Sequence, residues 1–169
     1  MNNNFYLRQF IPEVDAQLLA SWAMDVSKSN FFRGHVIPPT IEDCYNYSKW
    51  ANVAPYMIIR QEKNDPETIG MMTLSNFDLR HRSAHYSAIA TTEAEGNGYA
   101  RPSVVAILDY CFKVLGMRKM ITVVIEERLK AMYESMGFLF EGIQYQDCYL
   151  DGKYHDSYRL CVFPDNYKG

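Results

Sequence analysis

The stretch TTEAEGNGYARPSVVAILDYCF, Thr91 to Phe112, passes from a strand exit through Gly96 and Gly98 into a helix. The first amides of a helix have no partners inside it and favour anions, so a small-residue turn at that point is where a chain can cradle a phosphate. Two spaced glycines make an ordinary tight turn just as readily, and Glu93 and Glu95 bring negative charge beside those amides. A second residue with chemistry is His85, in the alternating run AHYSAIA, which puts His85, Ser87 and Ile89 on one strand face. An imidazole of pKa about 6.5 accepts a proton near neutrality, directly or through water. The same residue reads equally as a strand histidine hydrogen-bonded to its neighbours. A third is Tyr133 in ERLKAMYESMGF, where Leu129, Met132, Tyr133 and Met136 form an apolar helical stripe of the kind that packs in a core.

These residues need elements to hold them. NFYLRQF alternates as a strand and leads past Pro12 into a helix whose Ile11, Val14, Leu18 and Trp22 recur at helical spacing. Thr40 and Asp43 form a capping-box pattern opening IEDCYNYSKWANVA. PYMIIRQEK and TIGMMTLSNFD read as a hairpin around NDPE, and SAHYSAIATT is the strand that enters the glycine turn. The helix after it buries Val104, Ile107, Leu108, Cys111 and Leu115 and stops at Gly116. KMITVVI is a strand covered on both faces, ERLKAMYESMGF a short helix closed by Gly137, and Asp151-Gly152 joins the last two strands. The order is β-α-α-β-β-β-α-β-α-β-β, a mixed α/β or α+β fold.

Composition narrows the partners. The 169 residues, 48% hydrophobic, suit one domain spanning residues 1–169. A net charge of −3 offers no general attraction to nucleic acid or an anionic membrane, so phosphate binding has to be local and geometric. No apolar run approaches the roughly 20 residues of a membrane span, and MNNNFYLRQF lacks a signal region, so the expected location is the cytoplasm. Cys44, Cys111, Cys148 and Cys161 are widely spaced and do not cluster with His35, His81, His85 or His155, which points to reduced thiols and to no metal.

EGNGYA, LGMRKM, YESMGF and DGKYHDSY follow one another at set intervals, with IGMMTLSNFDLRHRSA upstream. In this order they resemble the GCN5-related N-acetyltransferase (GNAT) superfamily, and within it the ribosomal-protein N-terminal acetyltransferases of the RimJ/RimL group, from about Phe5 to Phe163. The resemblance implies a single GNAT domain, a central mixed, mostly antiparallel twisted sheet flanked by helices. It implies acetyl-CoA as cosubstrate, with the pyrophosphate on Gly96, Asn97, Gly98, Tyr99, Ala100 and Arg101 and the pantetheine arm on the backbone of Ile89, Ala90 and Thr91. It places Tyr133 where relatives return a proton to the departing thiolate, His85 where many carry a glutamate, and Glu126 where an asparagine contacts the coenzyme. Glu93 and Asn97 also depart from the family, each making the coenzyme side less positive; Arg101, Arg118 and Lys119 are the cations available to offset this. Glu126 has a plainer role too, as the partner of Lys130 four residues on.

The acceptor pocket implied by the resemblance draws on SNFFRGHVIPPT and YQDCYLDGKYHDSY, which supply Phe31, Phe32, Arg33, His35, Tyr145, Asp147, Tyr149 and Asp156. An acidic, aromatic lining suits a cationic amine, although Asp151 and Asp156 also belong to ordinary hairpin chemistry. The expected activity is acetyl transfer to a primary amine, a small molecule or a protein N-terminus, by a monomer or homodimer. A rival is an acyl-CoA-binding or regulatory module that kept the fold and lost the chemistry. A dinucleotide-binding domain fits poorly, since one strand-glycine-helix unit is present and no acidic residue follows on a second strand.

Overall fold

Residues 5–25, 39–62, 65–90, 98–150 and 152–169 are described by the computed structural model of the chain. Seven strands form one sheet: β1 (Phe5–Gln9), β2 (Val53–Glu62), β3 (Asp65–Asp78), β4 (Ser83–Ala90), β5 (Lys119–Val124), β6 (Leu139–Leu150) and β7 (Lys153–Val162). Among the described residues four α-helices accompany it: α1 (Pro12–Ala23), α2 (Ile41–Asn46), α3 (Ala100–Asp109) and α4 (Glu127–Ser135). Across the sheet the order is β1-β2-β3-β4-β5-β7-β6, antiparallel throughout except for the parallel pair β4 and β5. A parallel pair needs a crossover, and α3 provides it.

Side chains that alternate along the strands separate two apolar layers. On one face Tyr86, Met120 and Leu160 pack beneath Val104, Ile107 and Leu108 of α3 and Tyr133 of α4. On the other Met57, Met71 and Ile89 pack beneath Leu19 and Trp22 of α1 and Cys44 of α2. Each fully buried aliphatic side chain contributes about 1.5–3 kcal/mol, so both helical layers are fastened to the strands that frame the site.

The expected element order holds, and so do the capping box at Thr40 and Asp43 and the tight link from Leu150 to Lys153. The buried face of α1 differs from the expected stripe. Val14 is 65% and Ile11 40% exposed, while Asp15 is 2% exposed, because the guanidinium of Arg8 donates to both its oxygens (2.8 and 2.9 Å) and the Ile11 amide donates to it as well (2.7 Å). A paired carboxylate can be buried, and this one turns the helix. Leu115 is also exposed, since α3 runs into a wider π-type turn at Tyr110–Val114 that shifts the later residues round the axis. Among the described residues no helix is long and apolar enough to cross a membrane.

Candidate active site

The parallel ladder between β4 and β5 holds only three residue pairs, Ser83 with Lys119, Ala84 with Met120 and His85 with Ile121. Beyond His85 the strands part: Tyr86 to Ala90 remain paired with β3 on one side, and Thr122 to Val124 with β7 on the other. Among the described residues the backbone edges facing the gap have no ladder partners, and an interior sheet edge of this kind invites an extended ligand that carries amides of its own. The pantetheine arm of acetyl-CoA is such a ligand, so the residues present fit it. Ile89 and Ala90 lie on this edge, with the Ile89 side chain turned into the α1 and α2 layer.

The gap leads toward the start of α3. Thr91, Gly96 and Asn97 lie outside the described residues. Gly98 takes a φ of +79° with no atom of the described residues within 4 Å of where a Cβ would stand, which suits close approach to its backbone. Tyr99 precedes α3 and makes no capping bond with its side chain. Ala100 and Arg101 open α3 with amides that have no partner inside the helix, and Pro102 has no amide to satisfy. The Arg101 guanidinium donates to Ser135 Oγ (2.9 Å) and ties α3 to the end of α4. A cation that sequence reasoning missed, Arg60, lies over the Tyr99 ring at 5.9 Å and is ion-paired with Glu67.

Glu126 immediately precedes α4 in an extended conformation and caps nothing with its side chain. Its expected partner, Lys130, pairs instead with Glu134 (3.2 Å) and Glu127 (3.9 Å), while Glu126 approaches Arg128 at 3.9 Å. The extended backbone at Glu126 takes its side chain off the helical face that an i,i+4 pair requires. Arg118 donates to the His81 carbonyl (3.2 Å) and Lys119 is paired with Glu141, so both are engaged on the sheet.

Tyr133 is 6% exposed, its ring packed at 4.9 Å from Phe138 and 5.9 Å from Tyr86. Burial pushes its pKa above the ordinary phenol value, opposed in part by the Tyr86 hydroxyl. Tyr86 is enclosed just past the point where β4 leaves β5, with the hydroxyls of Tyr133 and Thr122 as its polar neighbours. Among the described residues the Tyr86 hydroxyl has no hydrogen-bond partner of normal geometry. An orphaned buried donor at the mouth of the gap is the sort of group a ligand satisfies. The strand alternation already set Tyr86 opposite His85; nothing in the sequence indicated that it meets Tyr133.

His85 lies on the opposite face at the last paired position of the ladder. It is half-buried, and burial followed by the charges of Arg159 and Lys119 moves its pKa below the ordinary imidazole value, with Glu141 opposing. Its neutral form therefore prevails at pH 7. Hydroxyls surround it: Ser75 is its direct partner on β3, and Thr73 pairs with Ser87 one step along. The Tyr47 hydroxyl, from the turn after α2, meets Thr73 Oγ1 at 3.3 Å.

On the acceptor side, Phe31, Phe32, Arg33 and His35 lie outside the described residues. Asp147 accepts from Ser157 Oγ (2.6 Å) and Asp156 from the Gln146 amide (2.8 Å), so both support the β6–β7 hairpin. Tyr145 and Tyr149 are 76% and 64% exposed.

The family model described as an acetyltransferase (GNAT) domain matches residues 4–138. A spermidine N(1)-acetyltransferase of Vibrio cholerae is 30% identical over 129 residues, which are 75% of this chain and 73% of that protein. A crystal structure of the Vibrio cholerae spermidine N-acetyltransferase in complex with CoA and spermine superposes with a TM-score of 0.83 at 26% identity, covering 98% of this chain and 99% of that one. A provisionally named ribosomal N-acetyltransferase, YdaF of Bacillus subtilis, is 30% identical over 94 residues, 54% of this chain and 51% of YdaF. The chain belongs to the GNAT acetyltransferase family. It is an acetyl-CoA-dependent N-acetyltransferase.

Proposed function

We propose that the protein acetylates a small-molecule primary amine by direct attack of the amine on the thioester, with no covalent enzyme intermediate. The observation that carries this reading is the parting of β4 and β5 directly after His85, with His85 at the end of the pairing on one sheet face and Tyr86, packed against Tyr133, next along β4 on the other. In this reading the pantetheine lies along Ile89, Ala90 and Thr91, the pyrophosphate on Gly96 to Arg101, and Glu126 beside the coenzyme. Backbone amides of Ile89 to Thr91 polarise the thioester carbonyl as an oxyanion forms. His85 takes a proton from the acceptor ammonium, and the free amine attacks the carbonyl carbon. The C–S bond then breaks, Tyr133 gives its proton to sulfur, and the proton still held by the new amide nitrogen leaves to restore the phenol.

The Vibrio cholerae relatives are named for spermidine, which makes a polyamine the first acceptor to test; a protein N-terminus, as in the RimJ/RimL group, is the second. Action in the cytoplasm fits these acceptors. Thiol release from acetyl-CoA across a panel of spermidine, monoamines, aminosugars and N-terminal peptides tests the reading. Turnover with at least one amine is the expected result. Calorimetric binding of acetyl-CoA with no turnover on any amine would leave the acyl-CoA-binding module instead, and no binding would remove both.

A further inference from the structure

On the His85 face, six residues stand in register across six strands: Val53, Ser75, His85, Ile121, Cys161 and Leu139. Over the Ile121 and Cys161 part of this row lies a charged trio drawn from three different strands. Glu141 of β6 accepts from Lys119 of β5, and from Arg159 Nε of β7 at 3.0 Å. The strand pairing skips Glu141, since Phe140 faces Leu160 and Gly142 faces Arg159. It is the extra residue of a β-bulge, a device that re-aims one side chain. Here the bulge delivers a carboxylate between two cations that would otherwise stand together above an apolar floor, Ile121 and Cys161 being 6% and 2% exposed.

We infer that Lys119, Glu141 and Arg159 are positioning residues of the acetyl-transfer site, a charge clamp that sets how readily His85 takes the acceptor's proton. The inference rests on the reading of His85 as the base. The clamp has one anion and two cations, a net charge of +1 facing His85 from β5, β6 and β7. From β3 the partner is the uncharged Ser75, and the directly opposed residue on β5 is Ile121. The Cys161 thiol, pushed up to about 11 by burial and then by its contact with Glu141, adds no charge. A net positive surround disfavours imidazolium, so the clamp keeps His85 ready to accept a proton. Glu141 moderates it, because two unopposed cations would weaken the base further. The carboxylate itself stays ionised: burial works to raise its pKa, and the bonds from Lys119, Cys161 and Arg159 outweigh that.

The two ends of the clamp act with opposite signs, which separates tuning from scaffolding. In the Arg159→Gln protein the His85 titration, followed by its imidazole C–H signal in NMR and assigned with His85→Asn, is expected to move to higher pH. In Glu141→Gln it is expected to move to lower pH, and the acid limb of kcat/KM is expected to follow it in both. Arg159→Lys is expected to restore the wild-type midpoint, which also covers the case in which the glutamine variant fails to fold. A His85 midpoint that stays put in both variants, or moves the same way in both, overturns the clamp while leaving the base assignment standing. Midpoints that move as expected while the acid limb does not follow overturn the catalytic role of the clamp because His85 is then not the base.

Discussion

Replacing Tyr133 with phenylalanine isolates one proton. The ring packs at 4.9 Å from Phe138 and 5.9 Å from Tyr86, contacts that phenylalanine retains. The hydroxyl lost has Tyr86 as its polar neighbour, so stability should change by no more than about 1 kcal/mol, the net worth of one neutral hydrogen bond. The effect on turnover is larger. A thiol of pKa about 8.5 leaves poorly as a desolvated thiolate, and a phenol of ordinary pKa about 10 hands it a proton only as the C–S bond opens. Burial raises the phenol further. Complete transfer to a solvated thiolate is then uphill by at least about 1.5 units, or 2 kcal/mol. Transfer is workable because the same dry slot raises the thiol as well. General acids of this kind contribute about 10²-fold or more, which corresponds to about 2.7 kcal/mol on the barrier. The sign of the shift also fixes the pH range: with its pKa above the ordinary value, Tyr133 stays protonated up to about pH 10 and produces no alkaline limb below it. The assay is thiol release at saturating amine, with acetyl-CoA affinity by calorimetry alongside. The expected result is a kcat drop of about two orders of magnitude with affinity unchanged. Full activity from about pH 6 to about pH 9 would refute the donor role.

Asp15→Ala leaves the Arg8 guanidinium and the Ile11 amide without their acceptor; a loss of about 3 kcal/mol is expected in urea unfolding. Gly137→Ala is expected to destabilise by more than about 2 kcal/mol, since φ is +93° and a Cβ would lie 1.9 Å from the Asn166 carbonyl oxygen. The same variant should lower kcat/KM, because Gly137 closes the helix that carries Tyr133. All four cysteines are buried thiols outside any disulfide, and burial raises Cys44 and Cys161 to about 11 and Cys111 to about 12. A thiol reagent at pH 8 should therefore label the native protein very slowly and all four sites in denaturant.

Much of the scaffold was legible because local signals agreed with the tertiary arrangement. Val104, Ile107, Leu108 and Cys111 are buried as their spacing requires, Thr40 and Asp43 close their capping box, and Leu150 pairs with Lys153 where the last two strands meet. Apart from Leu115, displaced by the local π-type turn, the errors share an origin: features created by partners on other elements. Asp15 faces inward because of Arg8 on another element, which no helical periodicity encodes. Glu141 enters the clamp through a bulge, and a bulge shifts alternation by one residue. The gap between β4 and β5 is the end of a pairing, visible only when both strands are in place. For the same reason His85, Tyr133 and the α3 start could be singled out one by one, whereas the hydroxyl pair of Tyr86 and Tyr133 and the clamp beside His85 could not.

Of the departures from the family pattern, Glu93 and Asn97 lie outside the described residues, and the charge at Glu126 costs little. Glu126 is 62% exposed and has Arg128 at 3.9 Å; a pair of charges at about 4 Å in water interacts by only about 1 kcal/mol and is screened over about 8 Å. Of the cations expected to compensate, Arg101 is held by Ser135, Arg118 by the His81 carbonyl and Lys119 by Glu141. Arg60, which does reach the start of α3, carries Glu67 with it. In the proposed reading the coenzyme is held by helix amides at the start of α3, the backbone at Gly98 and the edge of β4, all of which are independent of side-chain charge. Substituting acids around such a site trims the electrostatic contribution and leaves the geometric one, so the departures from the family pattern are compatible with an active acetyltransferase.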